Sequence, residues 1–107
     1  MNLQTKEHVS LHNIQPVMKL AMHKIAKCYD DLGFACLITS TDEGIHKKGS
    51  LHYLGLAIDL RTRNIPHNVL EILYLNIKQE LNLLSSKFQT ILESNHIHVE
   101  YDRRTNK

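Results

Sequence analysis

Two helical hydrophobic patterns, each introduced by a proline, alternate with short apolar segments along this chain of 107 residues. Pro16 opens the first pattern, and Gly33 supplies a C-terminal stop for the helix. Pro66 opens the second pattern, which is longer. The apolar stripe of this second helix consists of Val69, Ile72, Leu73, Ile77, Leu81 and Leu84. Both hydrophobic patterns predict helices whose apolar side packs against a core.

Short apolar or alternating segments predict the strands on which these helices pack. They are Phe34–Thr39, Gly55–Leu60, Phe88–Leu92 and His96–Tyr101. The last two are separated by a short polar link and resemble a hairpin. The polar, poorly periodic residues 1–13 predict an arm or a short first turn. We therefore expect one α+β domain over residues 1–107, with a small antiparallel sheet packed against two or three helices.

Composition excludes several classes of function. A formal net charge of +2 is too small to argue for nucleic-acid binding. No segment approaches the length of a membrane span, and the N-terminus lacks a signal-peptide pattern, so we expect synthesis in the cytoplasm and no membrane partner. An external substrate would then be reached by another route. Cys28 and Cys36 lack a Cys-x-x-Cys spacing and predict buried free thiols.

Residues of the type that binds zinc occur in two places. His52 and Asp59 lie seven residues apart at the approach to a predicted strand, and Gly55 between them permits the backbone to bend so that His52 reaches back. His96 and His98 share one face of the last strand, because alternate residues of a strand do so. Two imidazoles and one carboxylate from separated strands can hold Zn²⁺ and leave its fourth position open, as hydrolytic zinc chemistry requires.

The segment Ser50–Asp59, SLHYLGLAID, resembles the S-x-H-x-x-G-x-A-x-D signature of the D-alanyl-D-alanine carboxypeptidase family. These zinc peptidases include vancomycin-resistance dipeptidases and phage endolysins that cut peptidoglycan stem peptides. The same segment is similar to the zinc site of the hedgehog signalling domain. The stretch 93–98, ESNHIH, resembles Glu-Ser-x-x-His-Ile-His of that domain but is one residue shorter. The resemblance covers the C-terminal half of the chain and implies a hedgehog-type fold.

The resemblance implies that His52, Asp59 and His98 are the zinc ligands. His98 is preferred over His96 because the last ligand of the family is typically followed by x-Asp or x-Glu, and Val99-Glu100 follows His98 here. His96 as the third ligand stays open as the alternative.

The catalytic residues implied by the resemblance are Glu93, His96 and His46. Many relatives carry an acid three residues before the last ligand, where this chain has Asn95, whereas Glu93 lies three residues before His96. Under a hedgehog-like alignment Glu93 is still the general base; the alternative is a solvated carboxylate in a turn. His96 would donate a hydrogen bond near the reacting water or the oxyanion. His46, six residues before His52, would line the same cleft.

These features predict a zinc metallopeptidase that hydrolyses peptide bonds in peptidoglycan stem peptides or cross-bridges. The alternative is a non-catalytic zinc-binding module of the same fold that binds a protein or the cell wall. Arg61 and Arg63 follow Asp59 at alternate positions, so one of them can bind a substrate carboxylate, or both are surface arginines. The bond cleaved, exo- or endopeptidase action and the oligomeric state stay open.

Overall fold

The computed structural model describes residues 3–6, 9–11, 13–41 and 55–102. Its elements in chain order are β1 (Leu3–Thr5), α1 (Pro16–Asp31), β2 (Cys36–Ser40), β3 (Ala57–Arg61), α2 (His67–Leu84), β4 (Phe88–Leu92) and β5 (His96–Tyr101). The two prolines start the helices as predicted: Pro16 is the first residue of α1, and Pro66 immediately precedes α2. In the described part of the chain, neither helix has the length and apolar character needed to cross a bilayer.

A five-stranded sheet in the order β1-β2-β3-β5-β4 forms the second layer of this α+β fold. Strands β2, β3, β5 and β4 pair antiparallel, but β1 pairs parallel with β2, with Leu3 opposite Cys36. The prediction of an entirely antiparallel sheet was therefore wrong at this edge, as was that of an arm or turn for this stretch. Three residues are too few to show an alternating pattern, so β1 is defined by the neighbouring strand rather than by its own sequence.

Both helices pack on one face of the sheet. The inward residues of β3 and β5 are fully buried there together with one row along α2. These residues are Ile58, Leu60, Ile97, Val99, Leu73, Ile77 and Leu81. The predicted stripe was too wide, because Ile72 is 51% and Leu84 is 37% exposed. Only this i, i+4 row of α2 is completely buried. Flanking residues such as Leu70 and Tyr74 pack against the core but are partly exposed, and positions farther round the helix stay in solvent.

The two cysteines are buried free thiols, as predicted. Burial raises the pKa of the Cys28 thiol, and it raises the pKa of Cys36 to about 12. A thiol with a raised pKa is a poor nucleophile and a poor ligand, because both roles require the thiolate. Burial therefore makes both thiols poorly suited to act as a nucleophile or a metal ligand.

Gly55 lies where the chain enters β3 and has φ +70°, a conformation that other residues rarely adopt. Its carbonyl oxygen accepts a hydrogen bond from the Gln15 N–H at 3.0 Å. A Cβ at this position would collide with the carbonyl oxygen of Asn13. The glycine of the motif thus lets the chain before β3 pack directly against the backbone that precedes α1, which confirms the need for unusual backbone geometry here.

Substituting Gly55 by Ala should destabilise the fold by about 3 kcal/mol or more, because it combines left-handed backbone strain with a backbone collision. Gly33 is a matched control: it has φ +85°, but an added Cβ there meets no atom within 4 Å. Gly33→Ala should therefore cost only about 1–2 kcal/mol. Urea denaturation of both variants measures the difference, and equal losses would show that the collision at Gly55 is relieved without cost.

Candidate metal centre

The pairing of β3 with β5 assembles the candidate site. Asp59 lies directly opposite His98, and Arg61 lies opposite His96. Because neighbours on each strand alternate between faces, these four side chains lie on the face opposite the helices. The fully buried Tyr29 donates its hydroxyl to the Arg61 carbonyl oxygen at 2.9 Å and anchors the end of β3. The cluster is thus held by two paired strands and a core contact.

One carboxylate oxygen is shared by the two histidines of β5. Asp59 Oδ1 lies 2.9 Å from His98 Nδ1 and 3.7 Å from His96 Nε2. The side chains of Asp59 and His98 are only 16% and 17% exposed, whereas that of His96 is 31% exposed. The structure therefore brings together two of the three predicted ligands and keeps the alternative ligand beside the same oxygen.

Glu100 holds the other side of the His98 ring. Its Oε1 atom lies 2.8 Å from His98 Nε2, and its side chain is 19% exposed. A metal-binding histidine commonly donates its second ring N–H to a carboxylate, which fixes the tautomer and the ring orientation. In that arrangement Nε2–H donates to Glu100 and Nδ1 is directed at Asp59. Sequence reasoning had noted Glu100 only as the acid following the ligand; strand alternation was the signal for its contact.

The two carboxylates favour a positive charge on His98. Burial by itself lowers the pKa of this imidazole, but the hydrogen bonds to Asp59 and Glu100 and the charges of both carboxylates outweigh it. The pKa of His98 is therefore raised above its ordinary 6.5. A cation is thus favoured at this position, and a metal ion that binds Nδ1 must displace a proton to do so.

The spacing of the ligand-type atoms around Asp59 can be compared with the spacing of ligands in a zinc site. Zinc lies about 2.0–2.2 Å from nitrogen and oxygen ligands, so two ligand atoms of a tetrahedral site are about 3.3 Å apart. The two distances from Asp59 Oδ1, 2.9 Å to His98 and 3.7 Å to His96, fall on either side of that value. Among the residues that the structure describes, no group of three or more histidine, cysteine or carboxylate side chains is placed so that it could hold a metal ion. His52, the third predicted ligand, and His46 lie outside the described residues.

The turn between β4 and β5 carries Glu93, the predicted general base. The Glu93 N–H donates to the His96 carbonyl oxygen at 2.8 Å, but its side chain is exposed. Asn95 Oδ1 lies 2.6 Å from His96 Nδ1, so this ring nitrogen carries the proton and Nε2 faces Asp59. Asn95 and His96 line the neighbouring cleft, and Glu93 does not. The role of Glu93 stays a prediction.

A cleft of about 680 Å³ lies beside the cluster and includes Asp59, Arg61 and His96 in its walls. Its remaining described walls come from the segment that joins β3 to α2, from the first turn of α2, from the turn between β4 and β5, and from Lys6 and Thr39. Clefts of several hundred Å³ are typical of small-molecule and peptide sites. The Asp59–His98 pair therefore lies beside a cleft of a size that is typical of ligand sites.

The described residues define a small α+β protein with a half-buried imidazole–carboxylate cluster at the rim of a cleft. No protein-family model matches the chain, and no curated protein matches it significantly. The family resemblance therefore rests on the two sequence motifs alone.

Glu100→Gln should lower the affinity for zinc by about 10–100-fold, the usual effect of removing an acceptor behind a metal-binding histidine. The substitution keeps the size of the side chain and removes its charge next to His98. Competition with a chromophoric chelator measures the affinity, and Glu71→Gln, on the exposed side of α2, is the matched control. Equal affinities of the two variants would exclude Glu100 as the partner of a zinc ligand.

Proposed function

We propose that this protein is a zinc metallopeptidase that hydrolyses peptide bonds in peptidoglycan stem peptides or cross-bridges, with a fold of the hedgehog and D-alanyl-D-alanine peptidase type. One observation carries the proposal: Asp59 and His98, from separate motifs of that family, face each other at 2.9 Å at the edge of a cleft. A solvated surface histidine would not need two carboxylate partners and 17% exposure.

In this proposal, His52, Asp59 and His98 hold the zinc, and Glu100 orients His98. Zinc, when bound to such a ligand set, lowers the pKa of water and polarises a carbonyl group. Asp59 supplies the negative charge that makes the set favourable for a divalent cation. The half-buried position of the pair strengthens this attraction, because fewer water molecules screen it.

Glu93 acts as general base in the proposal: it accepts a proton from the attacking water and passes it to the leaving amine. His96 or His46 donates a hydrogen bond to the developing oxyanion; from His96 this requires a proton on Nε2 in addition to the one on Nδ1. Loss of one such donor typically lowers the rate by about 10²–10³-fold. His96 is suited to this role because it lies at the wall of the cleft and is oriented by Asn95.

A second candidate is a non-catalytic zinc-binding module that binds a protein or the cell wall. The placement of Glu93 favours it, since the carboxylate is exposed and outside the cleft walls. Both candidates bind zinc, so metal analysis does not separate them. They differ in whether a peptide bond is broken.

Digestion of defined muropeptides by the zinc-loaded protein tests the proposal, with products identified by mass. Release of terminal D-alanine would identify a carboxypeptidase, and new internal amino termini would identify an endopeptidase. A chelator and the Asp59→Ala variant should both abolish the products. Intact muropeptides in the presence of bound zinc would instead support the non-catalytic module.

A further inference from the structure

Three basic side chains in the cleft have no partner among the described residues. They are Lys6, after β1, Arg61, at the end of β3, and Arg63, in the turn that follows. No carboxylate in the described part of the chain pairs with any of them, and Asp59 is the only acidic residue among the cleft walls described. Since Asp59 is already engaged by His98, the remainder of the cleft carries an excess of positive charge.

The first turn of α2 adds to this positive potential. Pro66 and His67 line the cleft, no side chain caps the helix there, and its first turn contains no acidic residue. The N-terminus of a helix carries a partial positive charge and unpaired N–H groups, which favour anions. The helix N-terminus and the three basic side chains thus all make the electrostatic potential of the cleft more positive.

We infer that this cleft is a subsite for a carboxylate of the substrate, bound by Arg61 and Arg63 with Lys6 contributing charge. The inference rests on the proposed function for the presence of a peptide. Arginine presents a planar fork that binds a carboxylate through two parallel hydrogen bonds, and such pairs are among the strongest polar contacts. Tyr29 donates to the backbone carbonyl of Arg61, so the point of β3 from which the arginine side chain extends is anchored to the core.

The spacing along β3 limits where this carboxylate lies on the substrate. Arg61 follows Asp59 by two residues, about 6.6–6.8 Å along a strand. An extended peptide advances about 3.3–3.6 Å per residue. The carboxylate held by Arg61 therefore lies within one or two residues of the peptide bond that faces Asp59. It is either the C-terminal carboxylate of a short leaving segment or the side chain of an acidic residue there.

Binding of three probe peptides distinguishes these sources and does not depend on turnover. A short peptide with a free C-terminus and neutral side chains is compared with its C-terminal amide and with an amidated peptide that carries an acidic side chain. Affinities are measured by calorimetry on the metal-free and the zinc-loaded protein. We expect the peptide with the matching carboxylate to bind about 10–100-fold more tightly than the neutral amide.

Arg61→Gln should remove this preference while leaving zinc affinity unchanged. Lys24→Gln, which removes one positive charge from the exposed surface of α1, controls for overall charge and should keep the preference. Arg63, on the exposed turn, provides a second variant, Arg63→Gln, in case Arg61→Gln does not fold.

Equal binding of all three peptides by the wild-type protein, or an unchanged preference in both arginine variants, would overturn the subsite. Preference for a carboxylate without any peptide cleavage would keep the subsite and reject the peptidase. Peptide cleavage without any preference for a carboxylate would keep the peptidase and reject the subsite.

Discussion

Replacing His98 with Ala is expected to abolish tight binding of zinc. The His98 ring lies between Asp59 and Glu100, and its Nδ1 atom lies 2.9 Å from the Asp59 oxygen. Loss of one of three protein ligands should weaken binding by on the order of 10³-fold, since full sets of zinc ligands contribute about 10–16 kcal/mol. Competition with a chromophoric chelator at fixed pH measures the change.

Two further histidine variants make this result specific. His23, exposed on α1, should tolerate substitution by Ala without any change in zinc affinity. His96→Ala decides between the two candidates for the third ligand. If His98 is the ligand, this variant should bind zinc with an affinity within about tenfold of the wild-type value. The opposite order, with tight binding lost in His96→Ala and kept in His98→Ala, would show that the wrong imidazole has been assigned. Circular dichroism confirms that the variants fold.

The C-terminal hairpin was predicted from its sequence with the observed limits, Phe88–Leu92 and His96–Tyr101. The alternation of polar and apolar residues in His96–Tyr101 assigns the faces unambiguously: Ile97 and Val99 are fully buried, and the two histidines are on the other face. The starts of both helices were likewise predictable, because proline is favoured at the start of a helix: Pro16 is the first residue of α1, and Pro66 immediately precedes α2. For the hairpin and the helix starts, the residues of each segment were sufficient to predict its structure.

Pairing between strands could not be obtained in this way. Alternation places Asp59 and His98 each on a face of its own strand, but it does not say that β3 and β5 are neighbours or that these two residues lie opposite each other. The family motifs grouped them without giving a distance. The edge strand β1 and the exposure of Ile72 and Leu84 were missed for a similar reason, since both depend on which neighbour is present.

The cleft and its basic lining could likewise not be predicted from the sequence. The spacing of Arg61 and Arg63 after Asp59 indicated a possible contact with a carboxylate, but sequence offered no basis for choosing between that role and a solvated surface. Lys6 comes from the opposite end of the chain and carries no sequence signal at all. Only the folded arrangement shows that the three basic groups border one cleft.

Glu93→Ala is expected to lower the turnover of muropeptides by about 10²–10⁴-fold while zinc stays bound, the usual contribution of a general base. The reason for intact binding is that the Glu93 side chain is exposed and makes no contact with Asp59 or His98. Turnover is measured at saturating zinc, with the zinc content of each variant determined in parallel. Glu71→Ala, an exposed carboxylate on α2, is the control for loss of charge.

Glu100 is the other acid near the cluster. Comparing Glu100→Gln with Glu93→Ala distinguishes an acid that supports zinc binding from an acid that acts in turnover. Because Glu100 is already bonded to His98 Nε2 at 2.8 Å, its loss should weaken zinc binding first and turnover only through that loss. Saturating zinc should then restore activity to Glu100→Gln but not to Glu93→Ala. The opposite result would be unchanged hydrolysis by Glu93→Ala and activity of Glu100→Gln that saturating zinc does not restore. It would identify Glu100 on β5, and not Glu93 in the exposed turn, as the general base.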